Sequence, residues 1–318
     1  MTDLVSVVIP SFNHEGFVDE AVASVLAERD LDLELIVVDD GSTDGSRDHL
    51  ERWRQNDPRM RLELQSNRGA HAALNRGLEL TRGDVVLILN SDDAFEPGRI
   101  ARLAAMLRSR PEATLIATWI RVVDAAGAEL GVKRAWRSMP PWPHPAAGPH
   151  LSDTGDPVLA LLEGNWIATT SNLGFPRRLV DDGLRFAPLR YAHDWDFILA
   201  ACARGELLLL EEPLLRYRVH GANTIAEGGA GGAGEGPMRY EAVWVVARHA
   251  AATLARHSAG LPPDELDRRL WRSVQRFGRD DLLAELLALR GAGEPPPAGY
   301  DALLDEEHPF RRAAVDAL

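Results

Sequence analysis

Asp92 and Asp93 are adjacent carboxylates at the end of the apolar run Val85–Leu89, in the stretch VVLILNSDDAFEP. Like charges that close repel, and each is better solvated by water than by the end of a buried strand. The pair therefore asks for a positive group beside it. Three more polar clusters stand in similar positions: SFNHE (Ser11–Glu15), DDGSTD (Asp39–Asp44) and NRG (Asn67–Gly69) each follow a strand-like run. Any one of them reads equally well as turn chemistry, because Asp, Asn, Ser and Gly are the favoured loop residues. Together they read as the lining of one ligand pocket.

That reading requires elements that bring the clusters to one place. Val5–Pro10, Leu33–Asp40, Arg61–Gln65 and Val85–Leu89 have the composition of strands, and the last is apolar enough to be buried on both faces. Between them, Val18, Ala21, Val22, Val25 and Leu26 form one helical face, Leu50 and Trp53 another, and Ala72–Leu80 is helical. Asp44 and Ser46 offer caps to the second helix. Ile100, Leu103 and Leu107 mark the next stripe. Strand–helix alternation predicts an α/β sheet with right-handed crossovers, and such sheets bind ligands beyond the carboxyl ends of their strands. All four clusters fall there.

Bulk properties narrow the classes. The chain has 318 residues, is 45% hydrophobic and 26% charged, and carries a net charge of −13. This is a globular composition, and its acidity disfavours nucleic acid as a partner. The single cysteine, Cys202, excludes an intrachain disulfide and a CxxC pair and reads as a buried thiol. The N-terminus lacks the pattern of a signal peptide, and no run reaches the length of a membrane span. The expectation is a cytoplasmic protein, with peripheral membrane contact left open.

Residues 133–157 dissolve into a Pro-rich loop containing MPPWPHPAAGPH, read as a lid or acceptor-side loop. Residues 227–236 form a Gly-rich linker, and 237–318 form a helical C-terminal region broken by GEPPPAG (Gly293–Gly299). Leu266, Leu270, Val274 and Phe277 make one clean stripe there. This tail offers a surface for oligomerisation, for covering an acceptor cleft or for a partner.

Taken together, IPSFN (Ile9–Asn13), VDDGSTDGS (Val38–Ser46), NRGAHAALNRG (Asn67–Gly77), LNSDD (Leu89–Asp93) and AHDWDF (Ala192–Phe197) resemble the family 2 glycosyltransferases of the GT-A fold. The resemblance covers about Leu4 to Thr224. It implies a Rossmann-like, mainly parallel mixed sheet flanked by helices over residues 1–226, with the C-terminal helices as an appendage. It also implies an inverting transfer of a sugar from a nucleotide-diphosphate donor to a saccharide, lipid-linked or other hydroxyl acceptor. A divalent cation, Mg²⁺ or Mn²⁺, would neutralise charge on the departing diphosphate.

The resemblance also implies a role for each candidate residue. Asp93 is the favoured direct metal ligand, Asp92 reaches the metal or the ribose, and His220 joins the metal or the diphosphate. Asp40 accepts the imide N–H of uracil or thymine, which favours UDP or dTDP donors, while Asp39 suits a turn. Phe12 stacks on the base. Pro10, Ser11, Asn13 and Ser91 line the same pocket, and Asn67, Arg68 and Asn75 are further donor-site candidates. Asp194 deprotonates the acceptor hydroxyl. Trp166, Thr170, His193 and Trp195 belong to the acceptor side, with Trp166 as a platform for a sugar ring. Arg216 and Arg218 alternate on a strand toward a phosphate. Against these roles stand blander ones: a helix cap for Asp92, Asp93 or Asp194, and core packing for Phe12 and Trp166.

Two positions depart from the family pattern. Asn90 replaces the usual first carboxylate of the acidic motif, and His193 stands where a glutamate is common. Q-x-x-R-W does not follow Asp194, so a single addition is expected instead of processive synthesis. A degenerate member that binds a nucleotide or partner without turnover is the alternative. A dinucleotide oxidoreductase is disfavoured because no GxGxxG follows the first strand.

Overall fold

The computed structural model describes residues 3–137, 139–140, 142, 149–221, 223, 235–257, 260–275, 282, 284 and 304–316. Most of the Pro-rich stretch after Ser138, the Gly-rich link up to residue 234, Phe277, nearly all of 280–290 and the GEPPPAG segment lie outside these residues. The chain divides into two compact units, each drawn from several segments.

The first unit takes residues 1–142, 167–187 and 204–220. Its strands are β1 (Val5–Ser11), β2 (Leu33–Asp39), β3 (Met60–Leu64), β4 (Val85–Ile88), β5 (Ala94–Phe95), β6 (Ala113–Val123), β7 (Glu129–Lys133), β8 (Gly174–Pro176) and β9 (Glu206–Arg218). They form one mixed sheet in the order β3-β2-β1-β4-β8-β6-β9-β5, with β7 added to β6. β1 pairs in parallel with β2 and β4, and β2 with β3. The apolar residues of β1, β2 and β4 are buried on both faces, so these strands take the centre of a sheet covered by helices. The covering helices include α1 (Val18–Leu26), α2 (Ser46–Asn56), α3 (Ala70–Leu80) and α4 (Arg99–Ser109). The apolar faces read from periodicity are the buried ones: Val18, Ala21, Val22 and Val25 in α1, and Ile100, Leu103 and Leu107 in α4. α3 lies so close to β1 that a Cβ on Gly77 would come 2.3 Å from the Val8 side chain.

The second unit takes 143–166, 188–203 and 221–318. It contains α5 (Pro157–Leu161) and α7 (His193–Cys202), while the short α6 (Arg178–Asp181) belongs to the first unit. Three C-terminal helices join α5 and α7: α8 (Glu235–Arg256), α9 (Pro263–Gln275) and α10 (Pro309–Asp316). Leu266, Leu270 and Val274 of α9 are buried, as their spacing predicts. Cys202 is buried in α7, and burial pushes its thiol up to about 12. Among the described residues, no helix is long and apolar enough to cross a membrane.

Candidate active site

Strand pairing explains why distant polar clusters meet. β1 and β4 run in parallel with Val8 opposite Ile88, so His14 and Ser91 leave the sheet at the same edge. β5 follows directly after Asp93 and pairs antiparallel with β9, placing Ala94 opposite Arg216. The residues just before β5 therefore face those just after it on the partner strand, and His220 reaches Asp92.

The outcome is a cluster of His14, Asp92 and His220, whose ligand atoms all lie within 4.8 Å of one another. His220 Nε2 is 3.1 Å from Asp92 Oδ2, and His14 Nε2 is 3.9 Å from the same oxygen. His14 Nδ1 lies 2.8 Å from Ser91 Oγ. With the hydroxyl accepting from Nδ1–H, Nε2 is left toward Asp92, and the Ser91 bond orients the ring as a partner on the far nitrogen does for a metal-binding imidazole. Phe17 packs against the His220 ring at 4.7 Å between centroids, and the Arg218 guanidinium lies 5.1 Å from the centre of the Phe17 ring. Two imidazole nitrogens and one carboxylate oxygen are a fitting donor set for a divalent transition cation.

The adjacent carboxylates have opposite environments. Burial alone would push the Asp92 carboxyl up, but the His220 hydrogen bond and attraction to His14 and His220 hold it below the usual range. Burial, and then the Asp92 charge, push Asp93 well above that range. Asp93 accepts hydrogen bonds from Ser171 Oγ and from the Arg218 backbone N–H at 2.9 Å. It is thus directed into the protein and stands outside the three-residue cluster, contrary to its expected place as the direct ligand. His14, which the sequence reading passed over, is inside it. The available signal was its position in SFNHE, at the end of β1. Neither aspartate caps the following helix, which begins at Arg99 with Gly98 before it.

The other donor-side candidates divide. Phe12 is 42% exposed, so its ring face is open. Pro10 is half-buried, and Ser11 is buried with no hydrogen-bond partner for its hydroxyl among the described residues. Asn13 has φ +52°, accepts from Thr43 N–H at 2.8 Å and donates its own N–H to Ser42 Oγ at 3.0 Å. It staples the loop after β1 to the loop after β2. Asp39 takes the turn role, accepting from Ser42 N–H at 3.0 Å. Asp40 Oδ1 accepts from Gln65 Nε2 and Arg68 N–H, and Oδ2 from Gly69 N–H. A carboxylate has about four acceptor directions, so one remains on Oδ2. Asn67 and the Arg68 side chain are exposed. Asn75 turns away from a ligand role: its amide donates to Phe186 O and accepts from Phe186 N–H, both at 2.9 Å. Asn90 binds Thr169 Oγ1 through its side chain at 3.2 Å, and Thr170 is buried in the same turn. Arg216 and Arg218 both pair with Glu20, so neither guanidinium is directed only to a phosphate.

In the second unit, Asp194 sits in the first turn of α7, 8% exposed. The residue preceding the helix is Ala192, so Asp194 is not its N-cap. Its Oδ2 accepts from Asn165 Nδ2 at 2.8 Å and its Oδ1 from Trp195 N–H at 2.7 Å. Burial pushes its carboxyl above the usual range, against the His193 charge and these hydrogen bonds. Asn165, in EGNW, is a partner the sequence reading did not single out. Asp196 points elsewhere, to His249 Nε2 at 2.8 Å. His193 is half-buried. Trp166 and Trp195 are each 5% exposed and spend their indole N–H groups on Pro157 O and Leu161 O. A sugar platform needs an open ring face, and these rings are packed instead.

The profile of the family described as Glycosyl transferase family 2 matches residues 6–148. This stretch, just under half of the chain, is similar to glycosyltransferase family 2. A glycosyltransferase of Nostoc sp., itself uncharacterized, is 28% identical to it over 224 residues, which cover 69% of this chain and 66% of that protein. The succinoglycan biosynthesis protein ExoU of Rhizobium meliloti is 30% identical over 212 residues, covering 63% and 57%. The chain thus spans less than two thirds of the length of either relative. The crystal structure of S. aureus TarS 1–349 in complex with UDP matches with a TM-score of 0.57 at 19% identity, over 86% of this chain and 71% of that one. That likeness shows a shared fold, so the mixed sheet of this chain is a GT-A sheet.

Proposed function

We propose that the protein transfers a sugar from a nucleotide-diphosphate donor to an acceptor hydroxyl, with inversion, in single additions during glycan biosynthesis. The observation that carries this is the His14–Asp92–His220 cluster at the carboxyl edge of the sheet. A divalent cation held by these residues would supply positive charge for the departing diphosphate. Two imidazole donors favour a first-row transition ion such as Mn²⁺ over Mg²⁺, which takes oxygen ligands. Phe12 offers its open face to the base. Asp40 keeps one acceptor direction for an imide N–H, which favours uracil or thymine. Asp194 takes the acceptor proton: its raised carboxyl makes it a stronger base than an ordinary aspartate, and Asn165 holds its orientation.

The test is thermal unfolding with UDP, dTDP and GDP, each with Mn²⁺ and then with EDTA. A ligand that binds only the folded state raises its stability by mass action. A Mn²⁺-dependent rise with one diphosphate supports the donor site and names the base. No rise with any of them refutes the donor site and leaves a degenerate member without turnover. The anomeric configuration of the product, read by NMR, decides inversion.

A further inference from the structure

Glu241 of α8 is 1% exposed, a burial rare for a carboxylate. Its partners are three consecutive backbone amides. Oε1 accepts from Arg190 N–H at 3.0 Å, and Oε2 accepts from Tyr191 N–H at 2.7 Å and Ala192 N–H at 3.0 Å. Successive amides converging on one anion form a nest, here filled by a side chain of the same protein. The amides are the last three before α7, and Ala192, the residue preceding that helix, has no side chain able to cap it. Glu241 therefore fixes, from another helix, the backbone that leads into α7. Arg311 of α10 places Nη2 3.8 Å from Glu241 Oε1 and its guanidinium 5.7 Å from the centre of the Tyr240 ring. The buried carboxylate thus has amide donors on one side and a cation nearby.

Asp194 is the second residue after Ala192. Where its carboxylate stands depends on the direction in which the chain enters α7, and that direction is what the three hydrogen bonds hold. We propose that Glu241 is a positioning residue for Asp194, so that the C-terminal helices are part of the catalytic apparatus. This rests on the reading of Asp194 as the base. Asn165 orients the carboxylate directly, and Glu241 holds the backbone beneath it.

The experiment uses the full chain as Glu241→Gln, with Asp194→Asn as reference. Glutamine keeps the shape but sets an N–H₂ group against backbone N–H donors. Three quantities are measured: amide hydrogen exchange over residues 188–196, kcat and donor KM for transfer, and the unfolding temperature. Glu241→Gln should speed exchange over 188–196 and lower kcat by about 10- to 100-fold, the scale of a misplaced catalytic group. Donor KM should stay within about twofold, as expected when ground-state donor binding is intact. The kcat loss should persist well below the unfolding temperature. Unchanged exchange overturns the proposal. So does faster exchange with wild-type kcat, or a loss that vanishes in the cold and so only follows unfolding. If Asp194→Asn itself keeps wild-type kcat, the base reading fails and the proposal falls with it. If Asp194→Asn is inactive while Glu241→Gln is not, the proposal alone fails.

Discussion

His14→Ala is the sharpest perturbation of the proposed metal site. It removes one of three converging ligand atoms and leaves Asp92 and His220 3.1 Å apart. Disturbing even the partners of a ligand costs about 10- to 100-fold in metal affinity, so losing the ligand itself should cost about 100-fold. At a free Mn²⁺ concentration of about 100 times the wild-type Kd, binding stabilises the wild type by about 2.7 kcal/mol. The same concentration then equals the variant's Kd, and the stabilisation falls to RT ln 2, about 0.4 kcal/mol. The assay is urea unfolding of both proteins with and without Mn²⁺, with free Mn²⁺ followed by its EPR signal. His14 is half-buried and, among the described residues, its ring has one hydrogen bond, to Ser91, so the metal-free stabilities should differ by only about 1 kcal/mol. A full wild-type response to Mn²⁺ in His14→Ala would refute the ligand assignment, whatever the variant's activity.

Three other outcomes are expected. Asp194→Asn should abolish transfer while leaving Mn²⁺-dependent nucleotide binding intact, as measured by kcat and calorimetry. Because burial raises the wild-type carboxyl in the folded state, this group favours folding most below its unfolded pKa and least above its folded one; the wild-type kcat should fall with acid through that raised pKa, and the variant should lose no stability at neutral pH through this term. Gly41→Ala should destabilise the chain by about 1–3 kcal/mol in urea unfolding, since Gly41 has φ +85° and an added Cβ would lie 2.7 Å from Asn67 N. Cys202 should resist thiol reagents in the native protein at neutral pH and react on unfolding, because it is buried and its thiol is pushed up to about 12.

Much of the first unit was legible in the sequence, because strand and helix periodicities are local. Val5–Pro10 became β1, Leu33–Asp40 became β2, and the stripe Ile100, Leu103 and Leu107 is the buried face of α4. The four polar clusters marked the carboxyl edge, and the family motifs marked Asp92 and His220. Pairing across the chain decided the rest. His14 meets Ser91 across 77 positions, and His220 meets Asp92 across 128; no local pattern encodes either contact. The same holds for Asn75, a donor candidate by motif, whose amide clamps Phe186 111 positions away. Trp166 and Trp195 carry the composition of a sugar platform, and only packing revealed that their faces are covered.

The sequence by itself determined which segments form strands and helices, since burying a stripe or an alternating face depends only on spacing along the chain. It also determined which polar loops end those strands. Tertiary structure alone decided which aspartate turns toward the histidines. Asp93 leads into β5, and the pairing of that strand with β9 delivers the Arg218 amide to its carboxylate, leaving Asp92 to face His14 and His220. It also decided that residues 143–166 and 188–203 join the C-terminal helices in one unit. A hydrogen bond such as that from the Ala192 N–H to Glu241 requires two segments 49 residues apart to be folded before either partner is defined.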